Sequence, residues 1–445
     1  MRRLSPPRPV RLHRFSSPAP MWRRLMRKAQ RLPLLVPLCA GLSVAGLVDA
    51  MLPSPERPRL ATATVADQDT NATEPATAPV PTVVAIQSPP PGDAVQAVAP
   101  AEVVEAQLPP VPAPVDQPER MSPSAPSTRN QALEAQLDAL LKNGQTPYGA
   151  VVIMEAATGR VVAIAEHSTR GSSEGLALRP MAPAASVFKV VTVSALLEAG
   201  VPASERVCFH GGKTRMKPRD LKDSRQDNRC VTLSEAVPQS ANVAVAKLAT
   251  SHLTPELLRE HTQRWGFGST FGIEGMQPSF AHIPDDPFTF AEAAAGFGDV
   301  KISAMHGAVL ASIVANDGLL VTPTWGKGQQ GRASRAIDAR AARSLRRMMA
   351  DTVATGTGRR AFQQKPALGQ TAGGKTGSLT DYKTGLDTSW FVGFAPAEAP
   401  EFIVSAVVVN TSKWHIKAPW LAKESLRLAF KDRGTTTRGA RVAAR

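Results

Sequence analysis

The run Val187-Phe-Lys-Val-Val-Thr-Val-Ser-Ala-Leu-Leu-Glu-Ala199 is apolar on nearly every face when wound as a helix, and Gly200 and Pro202 stop it where helix-stop residues belong. A helix that is hydrophobic all round sits inside a core, so the chain must fold around this segment. Lys189 lies one turn from Ser186, in a place where an ammonium is expensive and burial favours the neutral amine. Such an amine, at i+3 from a hydroxyl at a helix N-terminus, can take the serine proton, while the helix dipole favours the negative charge that develops. An N-cap serine beside a snorkelling lysine is the plainer reading of the same residues.

Thr232-Leu-Ser-Glu235 has capping-box spacing, and Pro238 interrupts the helix it starts. Ser240 and Asn242 are therefore expected on a short loop before Val243-Ala-Val-Ala-Lys-Leu-Ala249 resumes a helical pattern. A hydroxyl and an amide between two rigid supports can relay a proton and hold a substrate carbonyl, although both also suit simple caps of the next helix. Gly373-Gly-Lys-Thr-Gly-Ser378 reads as an edge strand whose glycines admit a second backbone. Lys375 brings a cation and Thr376 and Ser378 bring hydroxyls, a set suited to a peptide that ends in a carboxylate. Taken alone, this segment reads as a hairpin with a solvent-facing lysine.

Ser-x-x-Lys, Ser-x-Asn and Lys-Thr-Gly in this order are much harder to reach by accident than any one of them, and the chain resembles the transpeptidase domain of penicillin-binding proteins. The resemblance extends to the hairpin-like stretch Tyr148 to Ala165, to Gly296-Phe-Gly298 through Ala315-Asn-Asp-Gly318, to Gly356-Thr-Gly-Arg-Arg360 and to Trp390-Phe-Val-Gly-Phe394. It covers roughly residues 131 to 430. It implies an α+β fold of the β-lactamase/transpeptidase kind, an antiparallel sheet covered by helices with a helical lobe. By the same resemblance Ser186 is the nucleophile, Lys189 the base in acylation, Ser240 a proton relay, Asn242 a substrate anchor and Lys375 an electrostatic partner. Thr376, Gly377 and Ser378 bind substrate, and the backbone N–H groups of Ser186 and Ser378 form the oxyanion hole.

The implied activity is a peptidoglycan D,D-transpeptidase that takes stem peptides ending in D-Ala-D-Ala and is inhibited by β-lactams, with no metal and no cofactor. A D,D-carboxypeptidase, a β-lactamase using the same residues, and a non-catalytic penicillin-binding or sensor module are the alternatives. The second motif is Ser-Ala-Asn, not the Ser-Asp-Asn of class A β-lactamases, and no Glu-x-x-Leu-Asn segment carries a deacylating glutamate. A class D enzyme more typically has Ser-x-Val. The chain lacks a His-Glu-x-x-His, which argues against a zinc-protease signalling domain.

The formal charge of +15 resides in the ends: residues 1–31 hold ten Arg or Lys and no acid, and residues 431–445 hold five basic groups and one acid. The part between is nearly neutral, so no nucleic-acid face is expected. The basic segment 1–31 precedes Leu32 to Val48, the only credible membrane segment, which carries two prolines and ends in a site that also resembles a signal-peptidase sequence. Residues 32–50 are thus read as a signal-anchor or signal peptide, with the positive end in the cytoplasm. The expected location is single-pass in an inner membrane with the catalytic domain in the periplasm, or secreted there if the signal is cleaved. Residues 52–130, rich in Pro, Ala, Val and Gln, read as a disordered tether that leaves no room for a glycosyltransferase or pedestal domain, although the resemblance allows a separate glycosyltransferase as partner.

Order is expected from Asn130, where Leu133, Leu137, Leu140 and Leu141 form a helical stripe. The hairpin at 149–166, the strand around Lys375, Phe391 to Ala395 and Phe402 to Asn410 are expected in one antiparallel sheet, closed by a helix from Trp420 to Phe430 and followed by a disordered basic tail, 431–445. Cys208 and Cys230 bracket a polar stretch and read as a disulfide in an oxidising compartment; a zinc site with His210 lacks a fourth ligand. The stretch Lys213 to Arg229 reads as a solvated loop, and His306, in an apolar helical pattern, as a structural histidine.

Overall fold

The structure, a computed structural model, describes residues 129–443 except 213–215, 327, 382–383 and 412–414. The basic segment, the apolar segment at 32–50 and the tether up to residue 128 lie outside the described residues. Among those described, no helix is long and apolar enough to cross a membrane.

Helix α1 (Gln131–Asn143) leads into the hairpin β1 (Tyr148–Glu155) and β2 (Val161–Ser168). The middle of the chain supplies α2 (Lys189–Glu198), α3 (Leu233–Gln239), α4 (Asn242–His252), α5 (Ala304–Ala315) and α6 (Ala339–Ala354). Strands β3 (Gly373–Asp381), β4 (Leu386–Ala395) and β5 (Phe402–Asn410) follow, and α7 (Ala418–Ala443) closes the fold. The main sheet has the order β3-β4-β5-β1-β2 with antiparallel neighbours throughout, so β3 is an edge strand, as its sequence suggests.

Both faces of this sheet are covered, which is why β5 is apolar along its length except at Ser405 and Asn410. Its side chains alternate between two cores: Ile403, Val407 and Val409 enter one, while Phe402, Val404, Ala406 and Val408 enter the other. Strand β1 divides the same way, with Ala150, Val152 and Met154 on one side and Val151 and Ile153 on the other.

Over one face lie α1, which buries Leu133, Leu137 and Leu141 at helical spacing, and α7, which buries Leu421, Ala422 and Leu426. Over the other lies α5, buried along its whole length. It comes close to the sheet at Gly307, where a Cβ would stand 2.4 Å from Ser405 Oγ and 3.1 Å from Val392 Cγ1. Beyond α5 the helical lobe holds α2, whose residues Lys189 to Leu196 are all buried, as its apolar sequence requires.

Three expectations need correction. Helix α7 does not end at Phe430 but runs to Ala443; no proline interrupts the backbone there, and Ala and Arg favour helix. Pro238 does not break its helix at once, since α3 continues to Gln239. The stretch between the cysteines is more than a solvated loop: Met216 and Asp220 are buried, and Asp220 accepts from Lys217 N at 3.0 Å.

Candidate active site

Ser186 stands in a short 3-10 turn, Ala185–Phe188, that runs directly into α2. The turn is shaped from behind. Ala185 adopts a left-handed φ of 49°, and a Cβ on Gly296 would lie 2.1 Å from the Ala185 carbonyl oxygen, so only glycine fits there. In front, Trp390 Nε1 of β4 donates to Pro183 O at 2.8 Å, and Ala184 N donates to Val300 O at 2.9 Å. The third motif lies against this turn, with the position of a Gly377 Cβ only 3.1 Å from Ala184 O.

Lys189 is fully buried, and its Nζ has three partners: Ser186 Oγ at 2.8 Å, Asn242 Oδ1 at 2.8 Å and the Ala295 carbonyl. Thr192 Oγ1, one turn along α2, donates to Ala294 O at 2.8 Å and so holds the Ala294-Ala295 backbone against the helix. Burial first, and the neighbouring Lys375 second, hold the Lys189 ammonium well below its ordinary range. A neutral amine has two hydrogens and one lone pair. Asn242 Oδ1 and Ala295 O only accept, so they take the hydrogens, and the lone pair is left to face the Ser186 hydroxyl.

Ser240 closes α3 with a left-handed φ of 54°, and Asn242 is the first residue of α4, so the expected loop is a two-residue junction between helices. Lys375, also fully buried, donates to Ser240 Oγ at 3.0 Å and to Thr376 O at 2.8 Å. Burial pushes its ammonium down to about 7. Thr376 is half-buried and Ser378 exposed, while Gly377 is buried. The flanking glycines serve the protein's own sheet: a Cβ on Gly374 would stand 2.2 Å from the Phe391 ring, and one on Gly373 2.7 Å from the Phe394 ring. They do not by themselves mark room for a second backbone.

The structure thus brings Ser186, Lys189 and Asn242 into one hydrogen-bonded set and Ser240, Lys375 and Thr376 into a second, and the charge of Lys375 acts on Lys189 between them. Several participants carry no side-chain signal in the sequence. Ala295 and Gly212 act through carbonyl oxygens, the latter accepting from Asn242 Nδ2 at 3.2 Å. Thr357 meets Thr376, hydroxyl to hydroxyl at 2.6 Å, and its backbone N–H reaches Pro238 O at 3.1 Å, which joins the second motif to the third. Phe297, half-buried, places its ring centroid 6.0 Å from Lys189 Nζ. Gly296-Phe-Gly298 and Gly356-Thr-Gly358 were the available signals, as short glycine-flanked segments. His306 is structural, as expected: it is buried against Phe267 and Phe271, its Nε2 donates to Trp265 O at 2.9 Å, and burial pushes it down to about 4.

A layered α+β fold with a serine–lysine pair at the foot of a buried helix, beside a Lys-Thr-Gly edge strand, is that of the β-lactamase/transpeptidase class. Residues 149–426 match the family model of the penicillin binding protein transpeptidase domain, and the chain belongs to that family. It is 25% identical over 305 residues to the peptidoglycan D,D-transpeptidase PbpA of Mycobacterium tuberculosis, covering 59% of this chain and 62% of that protein. It is 29% identical over 249 residues to the stage V sporulation protein D of Bacillus subtilis, covering 51% of this chain and 38% of that one. The chain therefore spans less than two thirds of the length of these relatives. Among solved structures, PBPA of M. tuberculosis aligns with a TM-score of 0.56 at 22% identity, over 68% of this chain and 81% of that chain. The transpeptidase domain of Burkholderia pseudomallei penicillin-binding protein 3 aligns with a TM-score of 0.58 at 19% identity, over 71% and 98%. These two likenesses concern the fold.

Proposed function

We propose that the chain is a peptidoglycan D,D-transpeptidase that acylates Ser186 with a stem peptide ending in D-Ala-D-Ala and passes the acyl group to an amine of a second stem. The observation that carries this reading is the Lys189 lone pair, left facing Ser186 by two acceptor-only partners. Lys189 takes the Ser186 proton as Oγ attacks the penultimate carbonyl, and the N–H groups of Ser186 and Ser378 hold the oxyanion. The amide bond to the terminal D-Ala breaks, and the Ser240 hydroxyl, held by Lys375, relays a proton to the leaving amine. The acceptor amine then attacks the ester, forms the new amide and restores the Ser186 hydroxyl. The hydroxyls of Thr376 and Ser378 meet the terminal carboxylate, the buried Lys375 behind them supplies positive charge, and Asn242 anchors the substrate amide.

β-lactams enter the same reaction and stop at the ester. Among the described residues, no Asp or Glu is hydrogen-bonded to Ser186, Lys189, Ser240, Asn242 or Lys375, which favours an acyl-enzyme that waits for an amine over one that hydrolyses. The apolar segment at 32–50 holds the enzyme at the membrane with the catalytic domain outside, and the Cys208–Cys230 disulfide suits that oxidising side. A separate glycosyltransferase supplies the glycan strands.

Mass spectrometry after penicillin treatment tests the reading. A single penicilloyl adduct is expected on Ser186, absent from Ser186→Ala and decaying over many minutes; turnover of many penicillins each second would make the chain a β-lactamase. Product analysis with and without an amine acceptor separates transfer from carboxypeptidase hydrolysis.

A further inference from the structure

The segment between Cys208 and Cys230 is built onto α4, the helix that begins with Asn242. Its ends pair as two short antiparallel strands, Arg206–Phe209 and Arg229–Thr232, joined by the disulfide. Lys247 of α4 donates to Cys208 O at 2.9 Å and to Asp227 Oδ2 at 3.1 Å, and also meets Asp223 Oδ1 at 2.7 Å. His210 Nδ1 lies 2.5 Å from the other oxygen of Asp227. The hydrogen bond from His210 first, with further help from Lys247 and Ser224, holds the Asp227 carboxyl at about 2. These ties bring Gly211 and Gly212, both with a φ of 66°, down on the start of α4, where a Cβ on Gly212 would stand 2.0 Å from Val243 Cγ2.

We infer that Gly212 is a positioning residue of the active site, its carbonyl fixing which end of the Asn242 amide faces Lys189, and that the disulfide-closed segment exists to hold it there. This rests on the acyl-transfer reading of Ser186. An amide has two chemically opposite ends. With Nδ2 donating to Gly212 O, Oδ1 must face Lys189, take one of its hydrogens and leave the lone pair to Ser186. An amide released from Gly212 can turn and offer Nδ2 to Lys189, where an N–H competes with Ser186 for the lone pair. Among the described residues, the other groups that face Lys189 are Lys375, whose charge acts on it, and the Phe297 ring.

The test measures acylation of the full chain by a fluorescent penicillin, as the rate constant at saturation and the half-saturating concentration, from about pH 5 to about pH 10. Gly212→Ala is expected to lower the saturating rate about tenfold or more with a change in half-saturation below about twofold. Its acid limb should move to lower pH, because a turned amide destabilises the Lys189 ammonium; mere loosening would admit water and move the limb up. Lys247→Met, which cuts the tie to α4 without touching Gly212, should act in the same sense by about threefold, and it serves if Gly212→Ala does not fold. A folded variant acylated at the wild-type rate, or an acid limb moved upward, overturns the inference. Failure of the wild-type protein to form any Ser186 adduct would overturn the acyl-transfer reading instead.

Discussion

Two lysines without access to water share one pocket, and their mutual repulsion disfavours a state in which both are charged. In the proposed reaction only the neutral Lys189 amine accepts the serine proton, so acylation should rise as pH passes upward through its depressed pKa, and Lys189→Ala should slow acylation by about 10²–10⁴-fold and remove that limb. Lys375 carries a stability consequence of determined sign. Its folded pKa of about 7 lies below the unfolded value, so the unfolded chain binds more protons between the two, and stability rises with pH through that window. Lys375→Met should make the rise from about pH 7 to about pH 9 shallower in urea unfolding while abolishing turnover. The five polar side chains of the cluster are legible because each sits in a short motif with its own chemistry. The carbonyls of Ala295 and Gly212 are not, since any residue type supplies a carbonyl and only the fold decides where it points.

At the level of elements, the sheet strands and α1 are legible because burial on one or two faces writes itself directly into apolar spacing. The glycines beside Lys375 mislead, because a missing side chain does not say which neighbour needs the space; here Phe391 and Phe394 take it. The segment between the cysteines reads as solvated from its charges, yet Asp227 is paired internally by Lys247 and hydrogen-bonded by His210. The disulfide itself is legible, and Cys208 and Cys230 face each other across the two short strands. Replacing both by Ser should cost about 3 kcal/mol by loop entropy, measured by denaturant unfolding under oxidising conditions. A loss below about 1 kcal/mol would mean that Lys247 and Asp227 alone secure the segment.

On the scale of the whole molecule, the sheet joins the two ends of the domain: Tyr148 of β1 pairs with Val409 of β5, and Asn130 Nδ2 reaches Asp432 Oδ2 at 2.6 Å. The last strand in the chain is an inner strand of the sheet, with β4 on one side and β1 on the other. A chain ending before Phe402 should therefore lose the whole domain, read as protease sensitivity and loss of penicillin labelling, where loss of an edge strand would spare part of it. Strand order also sets a schedule. Pairings between residues so far apart in sequence are slow to form, and here β1 waits for β5, more than 200 residues later, to be made. Helix α2, which follows Ser186, is synthesised early but has no complete sheet to lean on until then, so the residues around Ser186 come together in one step after β5 arrives.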